Sequence, residues 1–197
     1  TFKFAPPAAG ACTVPSALTA SAITQTTATI AWTAPANAPA NGYQWEVRTS
    51  GIGGSGATGL TASGSTAAGV TTANVTGLTA GQNYNLYVRS NCGTGFSDWA
   101  GPKAFTTLCN AITSFPYTEA FAGATIPQCW TQTYGGALTS DRWTVSTSTV
   151  AGGTANEMKA SYASGTGVSR LILPPLNLLS LTTPRLSFKH FFDDYGP

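Results

Sequence analysis

The sequence predicts an all-β protein made of antiparallel β-sandwiches. Three observations carry this prediction. Short segments in which apolar and polar residues alternate recur along the chain, and this is the pattern of half-buried strands. Clusters of Gly, Pro and Asn separate the segments, with 22 Gly and 12 Pro in the whole chain, and these residues favour turns. No segment shows the apolar spacing of a helix, so a helical bundle is excluded.

The first half carries the clearest strands. Alternation is unbroken at residues 27–32, 43–47 and 84–88, and these runs are rich in the β-branched and aromatic residues that strands prefer. Residues 50–70 contain many Gly and few bulky apolar side chains, so we expect a weak edge strand and loops there. Short strands separated by turns predict a sandwich of two antiparallel sheets.

The composition excludes several classes of protein. Charged residues make up 8% of the 197 residues and the formal net charge is +2, whereas about 25% charged residues is typical of soluble domains. Such a chain offers no basic surface for nucleic acid. No apolar run is long enough for membrane insertion. Five Trp, seven Tyr and nine Phe are too many for a disordered chain.

The cysteine count indicates an oxidising compartment. There are four cysteines, at Cys12, Cys92, Cys109 and Cys129, and an even number in a chain of low charge favours disulfides. We therefore expect an extracellular protein, either secreted or at the cell surface. Two other interpretations stay open. One is a zinc site, although no Cys-x-x-Cys pair exists and His190 is the single histidine; the other is a cytosolic protein with buried thiols.

Residues 12–107 carry a series of motifs in a fixed order. They are Pro15-x-x-Leu18, Ile30-x-Trp32, Tyr43-x-Trp45-x-Val47, Val75-x-x-Leu78 and Leu86-x-Val88. Residues 78–84, which end in Tyr84, look like a tyrosine corner, in which a Tyr hydroxyl bonds to backbone upstream and fixes the crossover between sheets. Residues 102–107 look like the last strand. This half of the chain resembles a fibronectin type III domain, and the resemblance implies an immunoglobulin-like sandwich.

The resemblance also suggests how the cysteines pair. In such a sandwich the residue before the first strand and the residue after the sixth lie at the same pole, which favours a Cys12–Cys92 disulfide. Cys109 then pairs with Cys129. Two other connectivities, both of which tie the two halves together, stay open because sequence alone does not fix connectivity.

Residues 108–197 carry a second series of motifs: an aromatic-x-Glu-x-Phe opening, a Cys-Trp step, a Pro before a Leu-rich strand and an alternating Leu-x-Phe strand. They lie at residues 115–121, 129–130, 171–178 and 185–191. This half of the chain resembles part of a jelly-roll module of the cleaved-adhesin and MAM type, found in surface proteins of the Bacteroidota. Only the first part of such a module is present, so we expect the chain to continue or another segment to complete the sheet. Residues 1–11 look like a linker or the end of a preceding domain.

The sequence offers no set of residues for catalysis. The acidic residues are scattered, and Asp193 and Asp194 are neighbours that would point to opposite faces of a strand. His190 alternates with Phe188 as an ordinary strand residue would, and no Gly-x-Ser-x-Gly elbow surrounds any serine. We therefore predict that the chain is not an enzyme.

The jelly-roll resemblance implies a calcium ion as cofactor. Modules of this kind often hold calcium by carboxylates and backbone carbonyls. Glu119 matches the Glu of the opening motif, and Asp193 or Asp194 matches the acidic turn after the Leu-x-Phe strand. Calcium takes six to eight oxygen ligands. The alternative is that Glu119 bonds to nearby backbone and the two aspartates lie in a solvated turn.

Two aromatic residues are candidates for binding a ligand. Strand alternation directs Tyr87 outward, and Trp99 lies in a loop or at the start of a strand; exposed rings of this kind can stack on sugars. The alternative is ordinary packing, as expected for Trp32, Trp45 and Trp130.

The resemblances imply a non-catalytic adhesion or spacer region of a large secreted or cell-surface bacterial protein. Its partners would be a protein or glycan on a surface and other domains of the same longer chain. Two alternatives are accessory modules attached to a secreted peptidase or glycoside hydrolase, and a separate carbohydrate-binding protein.

Overall fold

The fold is all-β, as predicted, in a computed structural model that describes residues 12–161 and 166–192. The chain divides into two units between Leu108 and Cys109. Within the described residues the first unit holds seven strands: β1 (Ser16–Ser21), β2 (Ala28–Thr33), β3 (Tyr43–Arg48), β4 (Leu60–Thr66), β5 (Thr72–Val75), β6 (Asn83–Ser90) and β7 (Ala100–Thr106). Four strands of the second unit are described: β8 (Thr131–Gly136), β9 (Trp143–Ser146), β10 (Glu157–Ala160) and β11 (Gly167–Ile172).

The first unit is a sandwich of two antiparallel sheets. One sheet has the order β1-β2-β5 and the other the order β4-β3-β6-β7. β3 is central in the larger sheet, where Trp45 lies opposite Val88 of β6 and Gly64 of β4. The predicted weak edge strand within residues 50–70 is β4, and it lies at the edge of its sheet.

The core of the first unit lies between the sheets. Ile30, Val47, Leu86 and Val88 are each 0% exposed, because alternate residues of a strand share the face that meets the other sheet. Aromatic pairs complete the core, with Trp32 edge-on to Tyr43 at 5.3 Å between ring centroids and Tyr84 stacked on Phe105 at 5.6 Å. Burial raises the pKa of the Tyr43 hydroxyl, because the phenolate would lose its hydration.

The predicted tyrosine corner is confirmed. The Thr79 backbone N–H donates to the Tyr84 hydroxyl oxygen at 2.8 Å. The Thr107 hydroxyl reinforces the corner, since it donates to the Thr79 carbonyl at 2.6 Å and accepts from the Gln82 N–H at 3.0 Å. The crossover before β6 is therefore held to the end of the last strand of the sandwich.

Both predicted disulfides are confirmed. Cys12 is bonded to Cys92 and Cys109 to Cys129, so each bond lies within one unit. The first closes a loop of 80 residues between the start of the sandwich and the segment after β6. The two connectivities that would have tied the units together are thus excluded.

The second unit consists of paired strands. β8 pairs with β11 and β9 with β10, both antiparallel. A parallel bridge joins Ile112 to Leu176. Among the described residues, Pro174 is the one buried apolar residue of the second unit, and the others belong to the first. The jelly-roll assignment of residues 108–197 stays a prediction.

Two strand predictions in the second unit are wrong. The Leu-rich strand expected after the prolines of residues 171–178 is replaced by a single bridge at Leu176, and β11 ends before them at Ile172. Residues 185–191 form no strand, and Leu186 and Phe188 are each 74% exposed. Alternation describes which faces a strand would have, but a strand also needs a neighbour for its backbone hydrogen bonds. Among the described residues, nothing pairs with residues 185–191.

Candidate functional site

The loop after β3 is folded around one buried arginine. The Arg48 side chain is 0% exposed, and its Nη1 contacts the Glu46 Oε2 at 2.6 Å. Its other donors bond to loop carbonyls at 2.7–3.2 Å, those of Ser50, Gly56 and Thr58. The Gly54 N–H also donates to Glu46 Oε2, at 2.9 Å. The guanidinium thus satisfies backbone groups that a loop of this length would otherwise expose to water.

The expectation that Tyr87 is exposed is wrong. Its side chain faces the outer side of the sheet, opposite Glu46 as alternation predicts, yet the residue is only 5% exposed. The Tyr87 hydroxyl donates to the Gly51 carbonyl at 3.2 Å, so the loop after β3 covers the ring. A covered ring offers no face to a sugar. Alternation gives the direction of a side chain and cannot show that a loop folds over it.

Trp99 is half-buried and already packed. The Arg89 guanidinium lies 4.5 Å from its ring centroid and 4.0 Å from that of Phe96, which are cation–π distances. A Cβ on Gly53 or Gly54 would lie 2.6 or 2.8 Å from atoms of the Trp99 side chain, so only glycine fits there. The indole therefore clamps the loop to the sheet, while a role for Trp99 in ligand binding stays a prediction.

An open groove of about 300 Å³ lies beside this clamp on the outer face of the sheet. Its lining includes Gln44 and Glu46 of β3, Ser63 and Ser65 of β4, and Trp99. Glu46 lies opposite Ser63 and Gln44 opposite Ser65 in the strand register. No sequence motif singles out Gln44, Ser63 or Ser65. Alternation about Trp45 places Gln44 outward, but no pattern in the Gly-rich stretch gives the register of β4.

In the second unit the aromatic-x-Glu-x-Phe motif and the Cys-Trp step come together. Glu119 accepts from the Phe121 N–H at 2.8 Å and from the Tyr117 hydroxyl at 3.3 Å. Tyr117 also accepts a bond from Trp130 Nε1 at 3.4 Å, and the Phe121 and Trp130 rings meet edge-on at 5.2 Å. Glu119 therefore bonds to nearby backbone, as the alternative interpretation expected.

The predicted calcium site is only partly within the described residues. Asp193 and Asp194 lie outside them. The described residues contain no group of three His, Cys, Asp or Glu side chains that could hold a metal ion. Glu119 alone supplies too few oxygens for calcium. The calcium site therefore stays a prediction.

A second loop is folded around a charge, between β9 and β10. Glu157 accepts from the Ser148 hydroxyl, and from the Ala151 and Val150 N–H groups at 3.0 and 3.2 Å. These hydrogen bonds, that of Ser148 foremost, lower the pKa of the Glu157 carboxyl, because they favour its charged form.

The described residues include no helix able to cross a membrane.

Comparison with known proteins identifies the first half. The family model of the fibronectin type III domain matches residues 13–106, just under half of the chain. This match confirms the resemblance predicted from the motifs. No curated protein matches the chain.

Many solved structures also match the chain, and those named below cover about half of it. The fn3 domain of the human collagen alpha-1(XX) chain is 20% identical, with 54% of this chain and 94% of that chain covered and a TM-score of 0.43. A redesigned β-sandwich protein is 19% identical, with 51% and 94% covered and a TM-score of 0.42. The FN5 domain of Drosophila Lar is 20% identical, with 49% and 96% covered and a TM-score of 0.37.

Proposed function

We propose that the chain is a non-catalytic adhesion or spacer region of a large secreted or cell-surface bacterial protein. One observation carries the proposal: a fibronectin type III sandwich whose first residues are bonded covalently to the segment after its sixth strand, through Cys12 and Cys92. Disulfides persist in oxidising compartments. Fibronectin type III domains commonly serve as non-catalytic adhesion or spacer modules.

The loops of the sandwich suit the presentation of a fixed surface. The loop after β3 has its own small interior, made of Arg48, the Tyr87 hydroxyl and the Trp99 indole. A loop ordered before binding loses less conformational entropy when a partner docks. We therefore assign the outer face of the larger sheet as the side that meets a partner.

For the second half we propose a jelly-roll module of the cleaved-adhesin and MAM type that holds calcium through Glu119 with Asp193 or Asp194. The assembly of Tyr117, Glu119 and Trp130 next to the Cys109–Cys129 disulfide supports the match to the opening motif. The test is thermal unfolding of a chain that carries the whole module, with calcium and with a chelator. A melting temperature that calcium raises supports the site, and an unchanged one rejects it.

The location of the protein tests the adhesion proposal. Intact cells of the source organism should lose the protein to an added protease, and peptide mapping without reduction should recover Cys12 linked to Cys92. Lysed cells serve as the control for total protein. A protein that resists protease in intact cells, absent from the medium and with free thiols, would contradict an extracellular adhesion or spacer role.

A further inference from the structure

We infer that the groove on the outer face of β3 and β4 binds a neutral saccharide. The inference rests on the proposed adhesion function and names the class of ligand that the sandwich would recognise. It is carried by four polar side chains that share one face of the sheet: Gln44, Glu46, Ser63 and Ser65. The volume of about 300 Å³ is at the lower end of the range for small-molecule sites.

The orientation of the Gln44 amide is fixed by its neighbour. Arg89 donates to Gln44 Oε1 twice, from Nε at 3.0 Å and from Nη2 at 2.7 Å. A guanidinium only donates, so the atom of Gln44 that faces it must be the oxygen. The Gln44 NH₂ group is then left as a donor, and no partner for it occurs among the described residues. Because Arg89 also contacts the Phe96 and Trp99 rings, this donor is set in place.

Glu46 and the two serines supply the complementary groups. Arg48 and the Gly54 N–H both bond to Glu46 Oε2, and no described residue donates to Oε1. The Ser63 and Ser65 side chains are exposed, and within the described part of the chain their hydroxyls have no hydrogen-bond partner. Residues directly opposite on antiparallel strands have Cβ atoms about 5 Å apart. The face therefore offers donors and acceptors at the spacing of neighbouring strands.

The charge of the groove selects the class of ligand. The Glu46 carboxylate is paired with Arg48. Arg89 keeps its charge, since the Gln44 amide is neutral, but it does not line the groove. An anionic ligand would meet the remaining Glu46 oxygen, while a sugar hydroxyl can both accept from Gln44 and donate to Glu46 or a serine. Hydrogen-bonding sites discriminate against ligands that leave their buried polar groups unpaired. A neutral hydroxylated ring or chain fits this set.

The test is binding of the purified 197-residue chain to an array of neutral, sialylated and sulfated oligosaccharides. Two variants remove groove groups without touching the core. Gln44→Glu keeps an acceptor for Arg89 and removes the free donor, and the double variant Ser63→Val/Ser65→Val removes both hydroxyls while it keeps a residue suited to a strand. Thr61→Val is the matched control, because Thr61 is exposed on the same strand outside the groove.

We expect binding to neutral oligosaccharides that weakens about tenfold in each groove variant and stays unchanged in Thr61→Val, at unaltered melting temperatures. Equal binding by the wild type and the groove variants would overturn the inference, as would a preference for sialylated or sulfated sugars. Absence of saccharide binding would also overturn it. That last result would leave the proposed surface location standing, because protease accessibility on intact cells is measured independently.

Discussion

Each unit of the chain is built from antiparallel strands and has one disulfide, but the two units differ in how many side chains they bury. In the first, two sheets face each other and side chains such as Leu86 and Val47 are 0% exposed. In the second, the described strands pair two by two, and Leu179 is 95% and Phe192 79% exposed. Hydrogen bonding between strands thus hides backbone groups only. A second layer is required to hide the side chains.

The loops of the two units also differ in how far they bury a charged side chain. Arg48 in the first unit and Glu157 in the second each bond to several backbone groups of one hairpin loop. Arg48 is 0% exposed, and Tyr87 and Trp99 contact its loop. Glu157 bonds within its own hairpin. A hydrogen bond stabilises a fold more where water cannot replace it.

Removal of core volume should give the largest difference between the units. Leu86→Ala in the first unit should lower the free energy of unfolding by about 4 kcal/mol, because it leaves a cavity among fully buried side chains. The matched change Leu179→Ala in the second unit should have no measurable effect. Urea denaturation followed by circular dichroism measures both. Equal losses for the two variants would mean that the second unit buries Leu179.

Removal of the buried cation should give the next largest effect. Arg48→Met should destabilise the first unit by about 3 kcal/mol, since the Glu46 carboxylate and three loop carbonyls lose their donor. Lys103→Met, at an exposed position of β7, is the control and should change stability little. Elastase, which cuts after small residues, should also cut residues 50–59 sooner in Arg48→Met, because this stretch is rich in Gly, Ser and Ala. A variant that unfolds at the wild-type urea concentration would contradict an interior built on Arg48.

Two tyrosines of the first unit allow a comparison between a hydroxyl that is hydrogen-bonded and a buried hydroxyl that is not. Tyr84→Phe should lower the free energy of unfolding by about 1 kcal/mol, because the Thr79 N–H loses its acceptor. Tyr43→Phe is the matched change, and its buried hydroxyl has no hydrogen-bond partner among the described residues. It should leave stability unchanged or raise it. Thermal unfolding of both variants measures the contrast, and a larger loss for Tyr43→Phe would reverse it.

The smallest effect should come from Glu157, whose loop lies in the second unit. Its lowered pKa means that the folded state favours the charged form. The stability that the ionised Glu157 contributes is therefore complete above the ordinary glutamate pKa of about 4.3. It is lost as the pH falls through the lowered pKa of the folded state. The amide NMR shifts of Val150 and Ala151 should follow this loss between pH 6 and pH 2. In Glu157→Gln the same shifts should stay constant. If they still change with pH in this variant, the titrating group is not Glu157.

The sequence predicted most of the first unit and little of the second. Residues 27–32, 43–47 and 84–88 became strands because their alternation was matched by a facing sheet. The pairing of Cys12 with Cys92 followed from the family motifs. Alternation alone failed at residues 185–191, where no neighbouring strand is present in the described chain. The burial of Tyr87 depends on how a Gly-rich loop folds, and the position of the groove residues depends on the register of β4. No local sequence pattern encodes either.

The first unit is a sandwich with its own core, whereas the described strands of the second unit are not backed by one. Hydrogen exchange of the whole chain, resolved by peptide with mass spectrometry, tests this difference most directly. Amides of β3 and β6 should exchange roughly a thousandfold more slowly than those of β8–β11, because their exchange requires global unfolding of the sandwich. Equal protection of β8–β11 and β3 would contradict the claim.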